Sequence, residues 1–171
     1  AEDVINEGIE EAQAIEDNYD VAVAWDKSLK LIMETDASGN ILFVNENFAT
    51  VSGINDIDAI GQSFSFCHSE DMPKVISKLM LDGVKEFVNR PTFIKYMAKS
   101  GKYFWVLANY KINKKPNGTV DSVYSVQTGL NREWIENHSE PLYVKLKNIE
   151  DNFDVAASER YLNGFLKERN R

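Results

Sequence analysis

Cys67 and His68 stand side by side in this 171-residue chain, with Asp71 close behind them and Tyr110 and Gln127 far downstream. Thiol redox chemistry, metal ligation and acid–base catalysis use such residue types. Cys67 is the only cysteine, which rules out an intrachain disulfide, and one Cys with two His makes no zinc-type cluster. Nothing cationic adjoins Cys67 to lower its pKa, so it reads as a small buried hydrophobe rather than a redox thiol. His68 reads as a cap or a hydrogen-bonded surface histidine in preference to a metal or haem ligand. His138 lies in a linker and makes no case. Asp71 and Tyr110 are the pair an enzyme would use as base and hydrogen-bond donor, but no Ser/His/Asp set, metal motif or phosphate loop accompanies them.

The elements that must position these side chains are announced by turns. Two apolar stretches, residues 31–35 and 41–44, flank Asp36-Ala37-Ser38-Gly39-Asn40, where Gly and Asn supply the positive-φ positions of a tight hairpin. Asn45 then stands where the second strand ends, ready to cap a short helix over 46–52 that stops at Gly53. A second hairpin pairs residues 102–113 with 119–128 across Lys114-Lys115-Pro116-Asn117-Gly118, and 92–99, ending at Ser100-Gly101, adds a fifth strand. Between them, 73–88 places Val75, Ile76, Leu79, Met80 and Val84 on one side, with Asp71 able to cap its start and Pro73 suited to its first turn.

This order, strand–strand–short helices–long helix–three strands, resembles the PAS sensory domain. The matching pieces are TDASGN, VNENFATVSG, Ile60-Gly61, the cluster His68-Ser69-Glu70-Asp71, SGKYFW and the closing PNGTVDSVYSVQTG, together spanning about residues 31–130. CHSEDMPK followed by SGKYFWVLAN is most similar to the PAS domains of bacterial aerotaxis transducers. The resemblance implies an α+β fold: a five-stranded antiparallel sheet in the order 2-1-5-4-3 with helices on one face. It divides the chain into an acidic amphipathic helix (1–28), a PAS core (29–130) and a carboxy-terminal helical extension (131–171).

Period-two alternation sorts the last three strands into two surfaces. If the register follows the PAS pattern, Ile94, Tyr96 and Ala98 share a pocket face with Phe104, Val106, Ala108, Tyr110, Val123, Ser125 and Gln127. The other face carries Phe93, Met97, Tyr103, Trp105, Leu107, Tyr124 and Val126, too apolar to leave in water. Candidate ligand contacts are Asn45, Phe48, His68, Tyr96, Val106, Ala108, Tyr110, Ser125 and Gln127, the last two as hydrogen-bonding groups in an apolar site. Gln127 sits where flavin-binding light sensors carry a flavin-contacting glutamine. The position of their reactive cysteine is here Phe64, and their paired asparagines correspond to Tyr96 and Val106. The aerotaxis resemblance names FAD as the cofactor to test. Haem comes second, since the stretch 73–88 lacks the histidine that haem-binding relatives use, and a filled, cofactor-free pocket is the third case.

Composition bounds the rest. At 43% hydrophobic and 27% charged the chain is an ordinary globular protein, without an apolar run of membrane-spanning length or an opening targeting signal. The net charge of −8 is uneven: nine of the 27 acids fall in the first 26 residues, which contain no Lys or Arg, and the remainder is nearly neutral. Nucleic acid would find no basic face. Residues 3–24 carry a helical stripe at Ile5, Gly8, Ile9, Ala12, Ile15, Tyr19 and Ala22, read as packed on its own domain with the acids in solvent. Helices are expected again over 132–137, 140–150 and 154–168.

The resulting expectation is a cytoplasmic bacterial sensor module, of chemotaxis or aerotaxis type, that takes a small ligand or cofactor and signals through its flanking helices to a downstream domain or protein. It is expected to work as a homodimer, with the first helix and the outer sheet face near Trp105 and Tyr124 at the interface. One alternative is a dimerisation or interaction module whose pocket is plugged by Phe64, Phe66, Phe87, Tyr96 and Tyr110. The other is a small cone-fold enzyme like the ketosteroid isomerases, against which the element order counts.

Overall fold

Asp36 organises the first hairpin from its own side chain. Its Oδ1 accepts from the backbone N–H of Ser38 and of Asn40, both at 2.9 Å, and its Oδ2 from Asn40 Nδ2 at 3.1 Å. Gly39 completes the turn at φ +85°, where a Cβ would stand 2.9 Å from the Phe64 ring. The strands so joined are β1 (Lys30–Asp36) and β2 (Ile41–Val44). Asn45 then caps α2 (Glu46–Ser52), its Oδ1 accepting from Phe48 N at 3.0 Å, and Gly53 ends the helix at φ +69°.

The computed structural model describes residues 2–18 and 21–169, the side chains of 11, 12 and 14–18 excepted. After α1 (Glu2–Asn18) and the hairpin come α2, α3 (Asp56–Ala59), α4 (Lys74–Lys85), β3 (Thr92–Met97), β4 (Tyr103–Lys114) and β5 (Val120–Gly129). The five described strands form one antiparallel sheet ordered β2-β1-β5-β4-β3, the expected topology. The anticipated register holds as well: Tyr96 pairs with Phe104, Ile94 with Val106, Ala108 with Gln127 and Tyr110 with Ser125. One face therefore carries these residues and the other carries Phe93, Lys95, Trp105 and Leu107.

That second face is covered by the chain's own carboxy-terminal helices, one of the three covers the sequence leaves open; the first helix and a partner subunit, on which the expected dimer interface drew, are not what lies on Trp105. Residues 132–152 run as one helical rod, α5 (Arg132–Trp134), a π-helical turn (Ile135–Ser139) and α6 (Glu140–Asn152), followed by α7 (Val155–Arg169). Tyr143 packs on Trp105 with ring centroids 4.8 Å apart and donates its hydroxyl to the Phe93 carbonyl, while Trp134 leans on Phe93 at 6.1 Å. Leu146 and Leu162 are buried with them, each such side chain contributing about 1.5–3 kcal/mol of transfer free energy. Trp105, expected at a dimer interface, is thus 2% exposed within a single chain.

Two further expectations are corrected. The first helix ends at Asn18 instead of near residue 24: Ala22 pairs in parallel with Tyr103, and Val23 N donates to the Tyr103 carbonyl at 2.8 Å, so sheet pairing overrides helical spacing there. Of the stripe foreseen over 3–24, Tyr19 and the side chains of Ala12 and Ile15 lie outside the described residues. Among the described residues of α1 the side chains of 2–10 are all exposed, Val4, Ile5 and Ile9 at 72%, 61% and 63%, so this part of the stripe is not packed on its domain as expected.

Asp71 does not cap α4 either. Pro73 stands at the N-cap position, and the orphan N–H groups of Lys74 and Val75 instead donate to the two carboxylate oxygens of Glu150 on α6, at 2.7 and 3.1 Å. Ser158 on α7 donates to the same carboxylate at 2.8 Å, and Lys78 on α4 pairs with Glu159 at 3.0 Å. Among the described residues no helix is long and apolar enough to cross a membrane.

Candidate functional site

Between the sheet and α4 lies a small cavity of about 40 Å3. Its floor is Met33 and Thr35 of β1, Thr92, Ile94 and Tyr96 of β3, Tyr110 of β4, and Val123, Ser125 and Gln127 of β5; its roof is the Ile76, Met80 and Val84 row of α4, with Phe64, His68 and Met72 closing one end. Ala37 of the hairpin turn and Leu81 of α4, both exposed, also line it.

The polar groups of the floor mostly satisfy one another. Tyr96 donates its hydroxyl to Gln127 Oε1 at 2.9 Å, Gln127 Nε2 donates to Ser125 Oγ at 3.2 Å, and the Tyr110 and Thr92 hydroxyls share a bond of 2.5 Å. Burial holds the Tyr96 phenol well above its usual range and pushes that of Tyr110 up to about 12, so both are neutral hydrogen-bonding groups. His68 differs. Its ring is set edge-on against Phe64 at 5.8 Å and Tyr96 at 5.4 Å, and its Nε2 is enclosed with no hydrogen-bond partner among the described residues. Burial brings its pKa down to about 4, which keeps the imidazole neutral near pH 7. The surface or capping histidine expected from sequence is therefore a half-buried one that lines the cavity. Cys67 beside it is buried and its thiol is pushed up to about 12, an inert hydrophobe as expected.

What holds His68 inward is an extra edge to the sheet. Residues 67–69 run antiparallel to β3, with His68 paired to Tyr96, Met97 N donating to the Cys67 carbonyl at 2.8 Å and Ser69 N to the Lys95 carbonyl at 2.7 Å. Two residues further on, Asp71 turns to the other face of the sheet and accepts from Lys95 Nζ at 2.8 Å. Lys95, only 5% exposed, lies over the Tyr103 ring at 4.7 Å and has Glu140 of α6 as its second carboxylate at 3.5 Å. Burial pulls this ammonium down, but the Asp71 bond and the two negative charges outweigh it and hold the pKa above the usual lysine value.

Of the nine candidate contacts, the cavity brings together His68, Tyr96, Tyr110, Ser125 and Gln127. The other four stand elsewhere. Asn45 is a local staple, bonding Ile32 N, Phe48 N and the Lys30 carbonyl. Phe48 sits behind Tyr96, edge-on at 5.6 Å, and Val106 and Ala108 are fully buried in the strand core. The lining residues that were missed divide by cause. Met33 and Thr35 were legible from alternation, since they pair with Ser125 and Val123; Ala37, Gly39 and Phe64 reach the cavity only because the hairpin turn packs on residue 64.

The arrangement does not suit the larger cofactors. A cavity of about 150 Å3 takes a benzene ring, and one of about 40 Å3 holds neither a three-ring flavin nor a haem macrocycle; the Gln127 amide that would contact a flavin is engaged by Tyr96 and Ser125. Asp71 and Tyr110 lie on opposite faces of the sheet, which leaves the enzyme reading without its acid–base pair. Among the described residues no group of three His, Cys, Asp or Glu gathers to hold a metal ion.

The profile of the PAS fold family matches residues 41–127. No curated protein matches the chain. Among solved structures, a light-oxygen-voltage domain studied with a flavin analogue aligns at 16% identity and TM-score 0.58, covering 73% of this chain and 90% of that one. The light-state LOV domain of the blue-light photoreceptor Aureochrome1 aligns at 17% identity and TM-score 0.58, covering 72% and 95%. The PAS domain of a protein from Colwellia psychrerythraea gives 20% identity and TM-score 0.54 over 59% and 86%. At these identities the likeness is one of fold.

Proposed function

This chain belongs to the PAS fold family, and from that membership we propose that it is a sensory module in which occupancy of the cavity between sheet and α4 alters how the carboxy-terminal helices sit on the outer sheet face. One observation carries the reading: residues 67–71 present His68 to the cavity and Asp71 to Lys95, and the other partner of Lys95 is Glu140 at the start of α6. A shift of that short segment at the cavity changes an ion cluster that anchors α6. His68 lies in the segment hydrogen-bonded to the edge of β3, and Asp71 is tied to that segment by its N–H, which donates to Ser69 Oγ at 3.2 Å, so a displacement at His68 is passed on to Asp71. The module would sit in the cytoplasm and hand the change to a downstream domain or protein through α6 and α7. A bacterial chemotaxis setting suits such a module; an FAD-dependent aerotaxis one loses its support because the flavin does not fit.

Amide hydrogen exchange tests the coupling. Val123→Leu, which fills part of the cavity, is expected to change protection over residues 140–152 in the wild-type background and to leave it unchanged when Lys95→Met has removed the link. Equal responses in both backgrounds overturn the coupling.

A second reading, assembly, rests on the exposed Val4, Ile5 and Ile9 of α1. We propose a homodimer paired through this stripe, with the outer sheet face near Trp105 left to the chain's own helices. Tyr124, partly exposed beyond them, remains available at its margin.

A further inference from the structure

β2 and β3 are the two edges of the sheet. Residues 67–69 take the β3 edge, whereas the β2 edge meets solvent with apolar side chains. β2 slips register against β1, Glu34 pairing with Phe43 and Thr35 with Ile41, so Leu42 is the extra residue of a bulge. Beside it, Ile41 N donates to the Gln62 carbonyl and Gly61 N to the Ile41 carbonyl, both at 2.8 Å, which lays residues 60–62 along β2. Ile60 N donates to the Asp56 carbonyl at 2.9 Å, closing the turn of α3 that carries Ile57. Leu42, Ile57 and Ile60 thus form one row, 48%, 79% and 49% exposed, and Phe43, 46% exposed, carries it round to the outer sheet face. Apolar side chains exposed singly are ordinary; four that adjoin mark an interaction site.

Charge selects the partner. Residues 31–73 hold seven of the 27 acids and no Lys or Arg. Glu34 stands across from Phe43, Asp56 and Asp58 flank Ile57, and among the described residues these three carboxylates form no ion pair. Nucleic acid and anionic lipid are repelled by such a rim, and a cationic partner is drawn to it. Backbone shape narrows the choice further. The bulge, and the bonds from Ile41 to residues 61 and 62, blunt this edge against an added strand, so a partner has to meet it with side chains.

We propose that the face formed by β2 and α3 docks a basic amphipathic helix of another protein. Its apolar residues, at helical spacing, lie on Leu42, Ile57 and Ile60, and its flanking Lys or Arg residues meet Glu34, Asp56 and Asp58. The face is at the sheet edge opposite Lys95, so docking there is independent of the link between the cavity and α6.

The probe is a helical peptide of Leu and Lys, about four turns long, with its leucines on one face, titrated into the 15N-labelled full chain. The same peptide with Glu in place of Lys, and one with its leucines scattered round the helix, are the controls. The expected result is a saturable shift of the amides of residues 41–44 and 56–62 with the Leu/Lys peptide alone. Affinity should fall about fivefold or more in the double variant Ile57→Ser, Ile60→Ser, and added salt should weaken binding less in Asp56→Asn, Asp58→Asn than in the wild type. The wild-type shifts decide the matter even if a variant fails to fold. Four results would overturn the proposal: no saturable shift, shifts confined to the acidic α1, equal binding of the Glu peptide or the scattered-leucine peptide, or unchanged affinity in a folded Ile57→Ser, Ile60→Ser protein. Amides of 41–44 and 56–62 that move with protein concentration before peptide is added assign the face to a second copy of the chain, which overturns it as well.

Discussion

Replacing His68 by Phe should flatten the acid limb of the stability profile. The half-buried imidazole is packed edge-on against Phe64 and Tyr96 with its Nε2 enclosed, and its native pKa is near 4 against an unfolded value of 6.5. The native state therefore disfavours the charged ring, and the unfolded chain binds the proton first as pH falls. With the native value depressed, the contribution is fully present above about pH 6.5 and is lost as pH falls toward 4. Linkage with these two values gives no loss at about pH 7.5, a loss of about 2 kcal/mol by pH 5 and about 3 kcal/mol by pH 4. Phe keeps an aromatic ring in the same slot and removes the titration. Carboxylates titrate alike in both proteins, so they cancel in the difference. Urea unfolding of wild type and His68→Phe at several pH values reads it directly: wild type minus variant should fall by about 2 kcal/mol between pH 7.5 and 5. A difference that stays constant would mean that His68 is protonated freely in the folded state and that the enclosed, neutral ring is misdescribed.

Three other outcomes are expected. Glu150→Gln removes the carboxylate that receives the first N–H groups of α4 and should cost about 1 kcal/mol in urea unfolding, with α4 amides exchanging faster; unchanged α4 exchange would remove Glu150 as its cap. Asp71→Asn leaves the buried Lys95 ammonium with the longer Glu140 contact as its remaining ion pair and should cost about 1–3 kcal/mol, seen together with faster exchange over 140–152. Ile9→Glu should shift sedimentation equilibrium from dimer to monomer, and added salt should strengthen the wild-type dimer by screening the acidic helices from each other. A wild type that is monomeric at high concentration removes the dimer.

Which parts of this molecule were legible from its residues follows from the range of the forces involved. Turn chemistry and alternation act within a few residues, so Asp36 to Asn40, the Asn45 cap, Gly53 and the two faces of β3 to β5 could be read in advance and the sheet order inferred from them. An exposed apolar face could likewise be recognised as needing cover. Its occupant could not, because α1 and α6 both offer apolar residues at helical spacing and only packing decides that Tyr143 and Leu146 reach Trp105 while Ile5 and Ile9 stay in water. Partners brought together across long stretches of chain were equally hidden. Asp71 had local reason to cap α4, yet Lys95 claims it and Glu150, 76 residues beyond Lys74, takes the cap. The inward turn of His68 depends on residues 67–69 pairing with β3, and the cavity before it on how α4 crosses the sheet. Local backbone preference wrote the elements; the free energy of burying their surplus surface, which depends on where every element lies at once, chose what each side chain meets.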